Sequence, residues 1–197
     1  AAILVFDLSP SMLAEDVSPS RLVRARFKLI DILNSRREGF TALVVYGGEA
    51  HTVSPLTEDN NTIISLVPIL HPTLLPEYGS NTEEAVAMAI ELAANGGYEQ
   101  ADIILISDGV SPAAFGSIKT IIGQAGKYRL SILGVGTAEG APIPLGSSGF
   151  VKDRSGSILI PKLDSASMQR LANSNAGIYR DISADDSDIN DLLKVTE

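Results

Sequence analysis

Cysteine and tryptophan are absent, and only two histidines occur, His51 and His71. The missing thiols exclude disulfides, thiolate zinc sites and a cysteine nucleophile. They leave the redox compartment open, because a cysteine-free chain tolerates oxidising and reducing surroundings alike. Two isolated histidines make histidine-based metal sites and catalytic triads poor readings. No apolar run approaches the ~18 residues that a membrane helix needs. Positive charge is also scarce: 15 Lys and Arg stand against 24 Asp and Glu, for a net charge of −9. That balance argues against a nucleic-acid partner, which needs clustered cations, and equally against an anionic membrane surface.

What is present is a hydrophobic fraction of 45% in 197 residues. A chain of this length buries about 70% of its extended surface on folding, so one core forms without staples. The residues read as one domain, 1–197, with no repeat, low-complexity tract or linker to divide them. The chain opens directly on a strand and without Met, which predicts a domain excised from a longer protein.

Four short apolar runs, Ala2–Phe6, Phe40–Tyr46, Asp102–Ile106 and Leu130–Val135, lack polar alternation. Such runs suit parallel strands covered on both faces. Helical spacing lies between them. Ser18-Pro19 reads as a cap followed by proline at the first helical position. Leu22, Ala25, Leu29 and Leu33 then face inward, while Arg21, Arg24, Lys28 and Asp31 face solvent. Further helices are predicted over about 82–94 and 116–125 and from about Ser165, with a last one following the acidic run and including Ile189, Leu192 and Leu193. Alternation of this kind predicts an α/β fold with a doubly wound, mostly parallel central sheet. Gly47-Gly48 followed by His51-Thr52-Val53 predicts a hairpin and one antiparallel edge strand. The segment Ala141–Leu163, with short apolar pieces between glycine turns, predicts a small β excursion from the carboxyl end of the sheet.

Ligands of open α/β sheets bind outside the carboxyl ends of the strands. The first strand ends there in Asp7-Leu8-Ser9-Pro10-Ser11, and its period-2 spacing lets three oxygen side chains point one way. A later strand ends in Ser107-Asp108-Gly109, with Asp108 at the matching position. The loop Gly79-Ser80-Asn81-Thr82 opens a helix between them. Two carboxylates with several hydroxyls at one sheet end suit a small hard cation such as Mg²⁺.

This pattern resembles the von Willebrand factor A domain, whose D-x-S-x-S, Thr/Ser loop and S/T-D-G segments form the metal-ion-dependent adhesion site. Carried over by position, the resemblance implies a Rossmann-like fold and the ligands Asp7, Ser9, Ser11, Ser80 and Asp108, with Thr82 as the alternative to Ser80. The implied cofactor is Mg²⁺, with Mn²⁺ or Ca²⁺ as alternatives, and the implied partner is a protein offering an Asp or Glu side chain. Pro55–Asp59, Gly134–Pro144 and Lys152–Gly156 are further similar to the bacterial Bat proteins of aerotolerance-type operons. That resemblance implies a domain facing the periplasm, anchored in the inner membrane by segments outside this chain. It also implies other Bat proteins, or a MoxR-type AAA+ ATPase system, as partners.

Other readings are weaker. Gly134-Val135-Gly136 lacks a full nucleotide-loop pattern, since position 139 is Glu. The acidic run Asp181, Asp185, Asp186, Asp188 and Asp191 fails the EF-hand pattern at 186 and 192 and reads as capping and solvated surface. The basic residues Arg21, Arg24, Arg26 and Lys28 read as plain surface. An Asp nucleophile at position 7 would want a second Asp where Ser9 stands, so a binding module is expected rather than an enzyme. A scaffold with a vestigial, metal-free site is the alternative. The partner is expected to meet a rim of Leu8, Pro10, Met12, Gly79 and Val110.

Overall fold

A computed structural model describes residues 1–194. In chain order the elements are β1 (Ala2–Asp7), α1 (Arg21–Ser35), β2 (Thr41–Tyr46), β3 (Ala50–Thr57), α2 (Asn60–Leu66), α3 (Thr82–Asn95), β4 (Gln100–Ser107), α4 (Pro112–Ala125), β5 (Lys127–Gly134), α5 (Ser165–Ser174), β6 (Tyr179–Asp181) and α6 (Ser187–Lys194). The strands form one sheet in the order β3-β2-β1-β4-β5-β6. All neighbours run parallel except β2 and β3, the predicted hairpin. Pro55 sits in β3, an edge strand, where its missing N–H breaks no ladder.

Alternation along β1 sorts side chains to two cores, because successive strand residues point to opposite faces. Ile3 and Val5 pack with α3, α4 and α5 on one side. Leu4 and Phe6 pack with α1, α6 and the short α2 on the other. β1 is therefore buried on both faces and along both edges. The first polar residue at its carboxyl end, Asp7, is carried into the interior with it.

Several expectations need correction. The helix predicted from Ser18-Pro19 begins later: Ser20 is the cap, accepting from the Val23 amide at 3.2 Å, and the Ser18–Pro19 peptide is cis. The third predicted helix begins at Pro112 rather than 116. The short α2 and the three-residue β6 are too brief to show a period. The predicted β excursion does leave the carboxyl end of β5. Its pairing is reduced to two antiparallel bridges, Pro144 with Phe150 and Lys152 with Ile158.

The solvent-facing reading of α1 fails at two positions. Arg21 and Lys28 are buried. Both lie at the margins of the apolar stripe, within four residues of Ala25, where helical neighbours face the same way. Each is neutralised by a distant acid. Lys28 Nζ meets Asp188 at 2.8 Å and also donates to the Asp185 carbonyl. Asp188 was read with the solvated acidic run, yet it is buried and also accepts from the Ser183 amide at 2.9 Å. Asp185 does act as a cap, accepting from the Ser187 amide at 3.1 Å.

Removing one partner of a buried pair strands the other charge, which costs about 3–5 kcal/mol. Asp188→Ala is accordingly expected to lower the urea unfolding free energy by that amount. A loss below ~1 kcal/mol, the scale of exposed pairs, would show that water solvates this pair.

Candidate functional site

The carboxyl ends of β1 and β4 lie side by side, with Phe6 opposite Ile106. Asp7 follows Phe6 directly and Asp108 follows Ile106 by two, after Ser107, one residue beyond the position matching Asp7. The two carboxylates are still close enough for the Asp108 charge to act on Asp7. Asp7 is 0% exposed. Its Oδ1 accepts from the Ser9 amide at 2.8 Å and its Oδ2 from the Ser107 hydroxyl at 2.7 Å. Burial, and then the Asp108 charge, push its acid up to about 7. Burial also raises Asp108, against the pull of Ser11 and Arg21.

The chain beyond Asp7 turns through a 3₁₀ turn at Pro10–Leu13. This sets the Ser9 and Ser11 hydroxyls 3.0 Å apart. Ser9 is buried and Ser11 half-buried. The third segment docks on the β2–β3 turn: the Asn81 amide donates to the Gly47 carbonyl at 2.7 Å. A Cβ on Gly79 would come within 2.9 Å of the Gly48 backbone, so only glycine lets the two loops close.

The two hydroxyls of that loop part company. Ser80 is exposed, while Thr82 is buried and donates to the Tyr46 hydroxyl at 3.4 Å. Tyr46 bonds in turn to Ser107, and its proton is held by burial and by the nearby Asp7. Thr82, Tyr46, Ser107 and Asp7 thus form one buried chain of hydrogen bonds. Ser107 belongs to the Ser-Asp-Gly segment, but nothing in the spacing showed that its hydroxyl would serve Asp7.

Two participants went unread in the sequence, Arg21 and Asp16. Arg21 Nη1 donates to Asp108 Oδ2 at 2.9 Å. Its Nε and Nη2 grip both oxygens of Asp16 at 2.7 and 2.6 Å. The Asp16 carboxyl is held below its usual range, chiefly by that Arg21 bond acting against burial. The expected rim also changes. Leu8 and Met12 are buried in the core and Val110 nearly so, leaving Pro10 and Gly79 accessible. Large exposed apolar side chains cluster instead on the excursion, at Leu145, Phe150, Ile158, Leu159 and Ile160. His51 lies on the edge strand, 3.7 Å from Glu49, and His71 caps a 3₁₀ turn through Thr73.

The residues fit a divalent cation. Asp16 and Asp108 share one protein cation, Arg21, and Asp7 lies beside Asp108 with neutral donors only, so the three ionised carboxylates are short of two positive charges. No group of three acidic or histidine side chains able to hold a metal occurs among the described residues. A cation here would rest on two carboxylates and on hydroxyls.

The profile of the von Willebrand factor type A domain matches residues 2–110, more than half of the chain. The chain belongs to that family. Among solved structures it is similar to BatB from Bacteroides thetaiotaomicron, at 29% identity over 98% of this chain and 95% of that one, with a TM-score of 0.87. It is also similar to an aerotolerance-related membrane protein from Bacteroides fragilis, at 28% identity over 99% and 97% of the two chains, TM-score 0.84. This is a von Willebrand factor A domain of the Bat type. A von Willebrand factor type A protein from Catenulispora acidiphila, 17% identical with a TM-score of 0.66 over 99% of this chain and 41% of that one, shares the fold. No curated protein matches the chain. No helix among the described residues is long and apolar enough to cross a membrane.

Asp7 is a weaker acid in the folded protein than in the unfolded chain. A carboxyl whose folded value lies above its unfolded value near 3.8 favours folding below that value, and the contribution is lost as pH rises through about 7. In chelator, Asp7→Asn should therefore gain thermal stability relative to the parent between pH 4 and 8. A constant difference across that range would show that Asp7 titrates normally.

Proposed function

We propose that this domain is a metal-ion-dependent protein–protein interaction module, a binder rather than a catalyst. The observation that carries the reading is Asp7. It is a fully buried carboxylate beside Asp108 and the Ser9–Ser11 hydroxyl pair, at the carboxyl end of the sheet, with no protein cation of its own. Asp7, Ser9, Ser11, Ser80 and Asp108 would hold Mg²⁺, or Mn²⁺ or Ca²⁺ in its place. The bound ion supplies an electrophilic position for one Asp or Glu side chain of a partner. Ser80 is the loop ligand because its hydroxyl is exposed on the rim, whereas Thr82 is committed to Tyr46. The likeness to BatB and to an aerotolerance-related membrane protein supports a place in a Bat assembly at the bacterial inner membrane, facing the periplasm and working with a MoxR-type ATPase.

Contacts beyond the ion fall to the excursion rather than to Leu8 or Met12. Its apolar side chains are exposed, and Lys152, Arg154 and Lys162 outweigh Asp153 there, within a chain of net charge −9. An acidic partner repelled by the domain as a whole meets local attraction on this face.

Ligand binding at ~100-fold over Kd stabilises a fold by about 2.7 kcal/mol. Mg²⁺ or Mn²⁺ should raise the melting temperature, and Asp7→Ala and Asp108→Ala should abolish the rise. Ser80→Ala should weaken metal binding while leaving metal-free stability intact, whereas Thr82→Ala should lower metal-free stability. A larger loss of metal affinity at Thr82 would shift the loop register by two residues. Partner capture from membrane extracts should fail in chelator and with Asp7→Ala. Capture undiminished in chelator would favour the scaffold with a vestigial site.

A further inference from the structure

Arg21 stands in the first turn of α1 and is 0% exposed, and all three of its side-chain nitrogens are engaged. Nη1 donates to Asp108, Nε and Nη2 to Asp16, and Nη2 also to the Pro161 carbonyl at 2.8 Å. Asp16 Oδ2 accepts in addition from the Thr137 amide at 3.0 Å and the Thr137 hydroxyl at 2.9 Å. The Leu163 amide donates to the Thr137 carbonyl at 2.9 Å, which closes the base of the excursion. Room for the guanidinium comes from Gly136, at φ 134°, where an added Cβ would lie 3.0 Å from Arg21 Cζ. One planar fork therefore touches a proposed metal ligand, the leaving strand of the excursion through Asp16, and its returning strand directly.

We infer that Arg21 is a positioning residue that fixes the Asp108 carboxylate for the cation and couples occupancy of that site to the order of the 137–163 excursion. The inference rests on the metal-binding reading above. By holding Oδ2, Arg21 sets the plane of the Asp108 carboxylate and leaves coordination to Oδ1. Lysine has a single nitrogen and cannot span Asp108, Asp16 and Pro161 together. Coupling of this kind is reciprocal: loosening the excursion must weaken cation binding by the same factor as the cation tightens the excursion.

The test uses the 197-residue domain, with Mg²⁺ as the probe, calorimetry for affinity and amide hydrogen exchange for order. In the parent protein, exchange across 137–163 should slow on adding Mg²⁺. Arg21→Lys should weaken Mg²⁺ by about tenfold or more, the scale for groups that orient a ligand from behind, and should abolish the Mg²⁺-dependent slowing. Thr137→Val touches no proposed ligand and lies on half-buried surface, so it reports even if Arg21→Lys fails to fold. It should weaken Mg²⁺ severalfold and speed exchange at 137–140 in chelator. Parent-like Mg²⁺ affinity in Thr137→Val and in folded Arg21→Lys would overturn the coupling. So would slowing confined to residues 7–12 and 108–110. A parent domain that binds no Mg²⁺ would instead overturn the metal-binding reading, and this inference with it.

Discussion

Three carboxylates and one guanidinium share the space beyond β1 and β4, and much of the surrounding architecture follows from keeping them there. Burying a carboxylate is costly unless hydrogen bonds or opposite charge compensate it. Asp16 is compensated by both donors of Arg21 and by Thr137. Asp108 shares the remaining arm of Arg21. Asp7 has neutral donors only, from Ser9 and Ser107, and its acidity shifts accordingly. A cluster assembled this way is electrostatically incomplete, and its missing charge is local to Asp7.

That incompleteness explains the packing behind it. Asp7 is carried inside because β1 is central in the sheet, flanked by β2 and β4 and covered on both faces. The Thr82–Tyr46–Ser107 chain fills the space beneath it with hydroxyls, where an apolar side chain would leave the carboxylate without donors. Gly79 against Gly48 lets the Ser80 loop close over the same end. The stable part of the fold thus holds polar groups in a costly arrangement. Such strain in a well-packed fold is expected where function resides.

Legibility in the sequence followed the range of the interactions. Unbroken apolar runs marked β1, β2, β4 and β5, and Gly47-Gly48 marked the antiparallel edge strand β3. The Asp-x-Ser-x-Ser and Ser-Asp-Gly segments marked the strand ends because position after a strand is a local property. Arg21 was misread because Asp108 lies 87 residues away while its near partner, Asp16, sits in the loop before the helix and outside its period, and Lys28 because Asp188 lies 160 residues away. At that separation helical spacing sees only a charge beside an apolar stripe. Met12 was misread for the converse reason: a residue in a ligand-binding loop looks exposed until the 3₁₀ turn folds it under. Ile189 and Leu192 were read correctly as members of the last helix, and both are buried.

The distribution of charge bears on why a cation, rather than a permanent basic residue, would recruit an acidic partner. At physiological ionic strength, screening extends over about 8 Å, so the net charge of −9 acts as a weak, diffuse repulsion while a local site acts at contact. A lysine in place of the ion would balance only one of Asp7 and Asp108 and would offer a partner carboxylate no coordination position. Two carboxylates balance a divalent ion in formal charge, but with neutral hydroxyls they leave a coordination position for one further oxygen ligand, and burial on every other side turns that position outward. On the proposed reading, attraction is then confined to the one point where Ser11 and Ser80 reach the surface beside the buried Asp7 and Ser9. On the same reading, the exposed apolar and cationic excursion, joined to that point through Arg21 and Pro161, would select which carboxylate arrives.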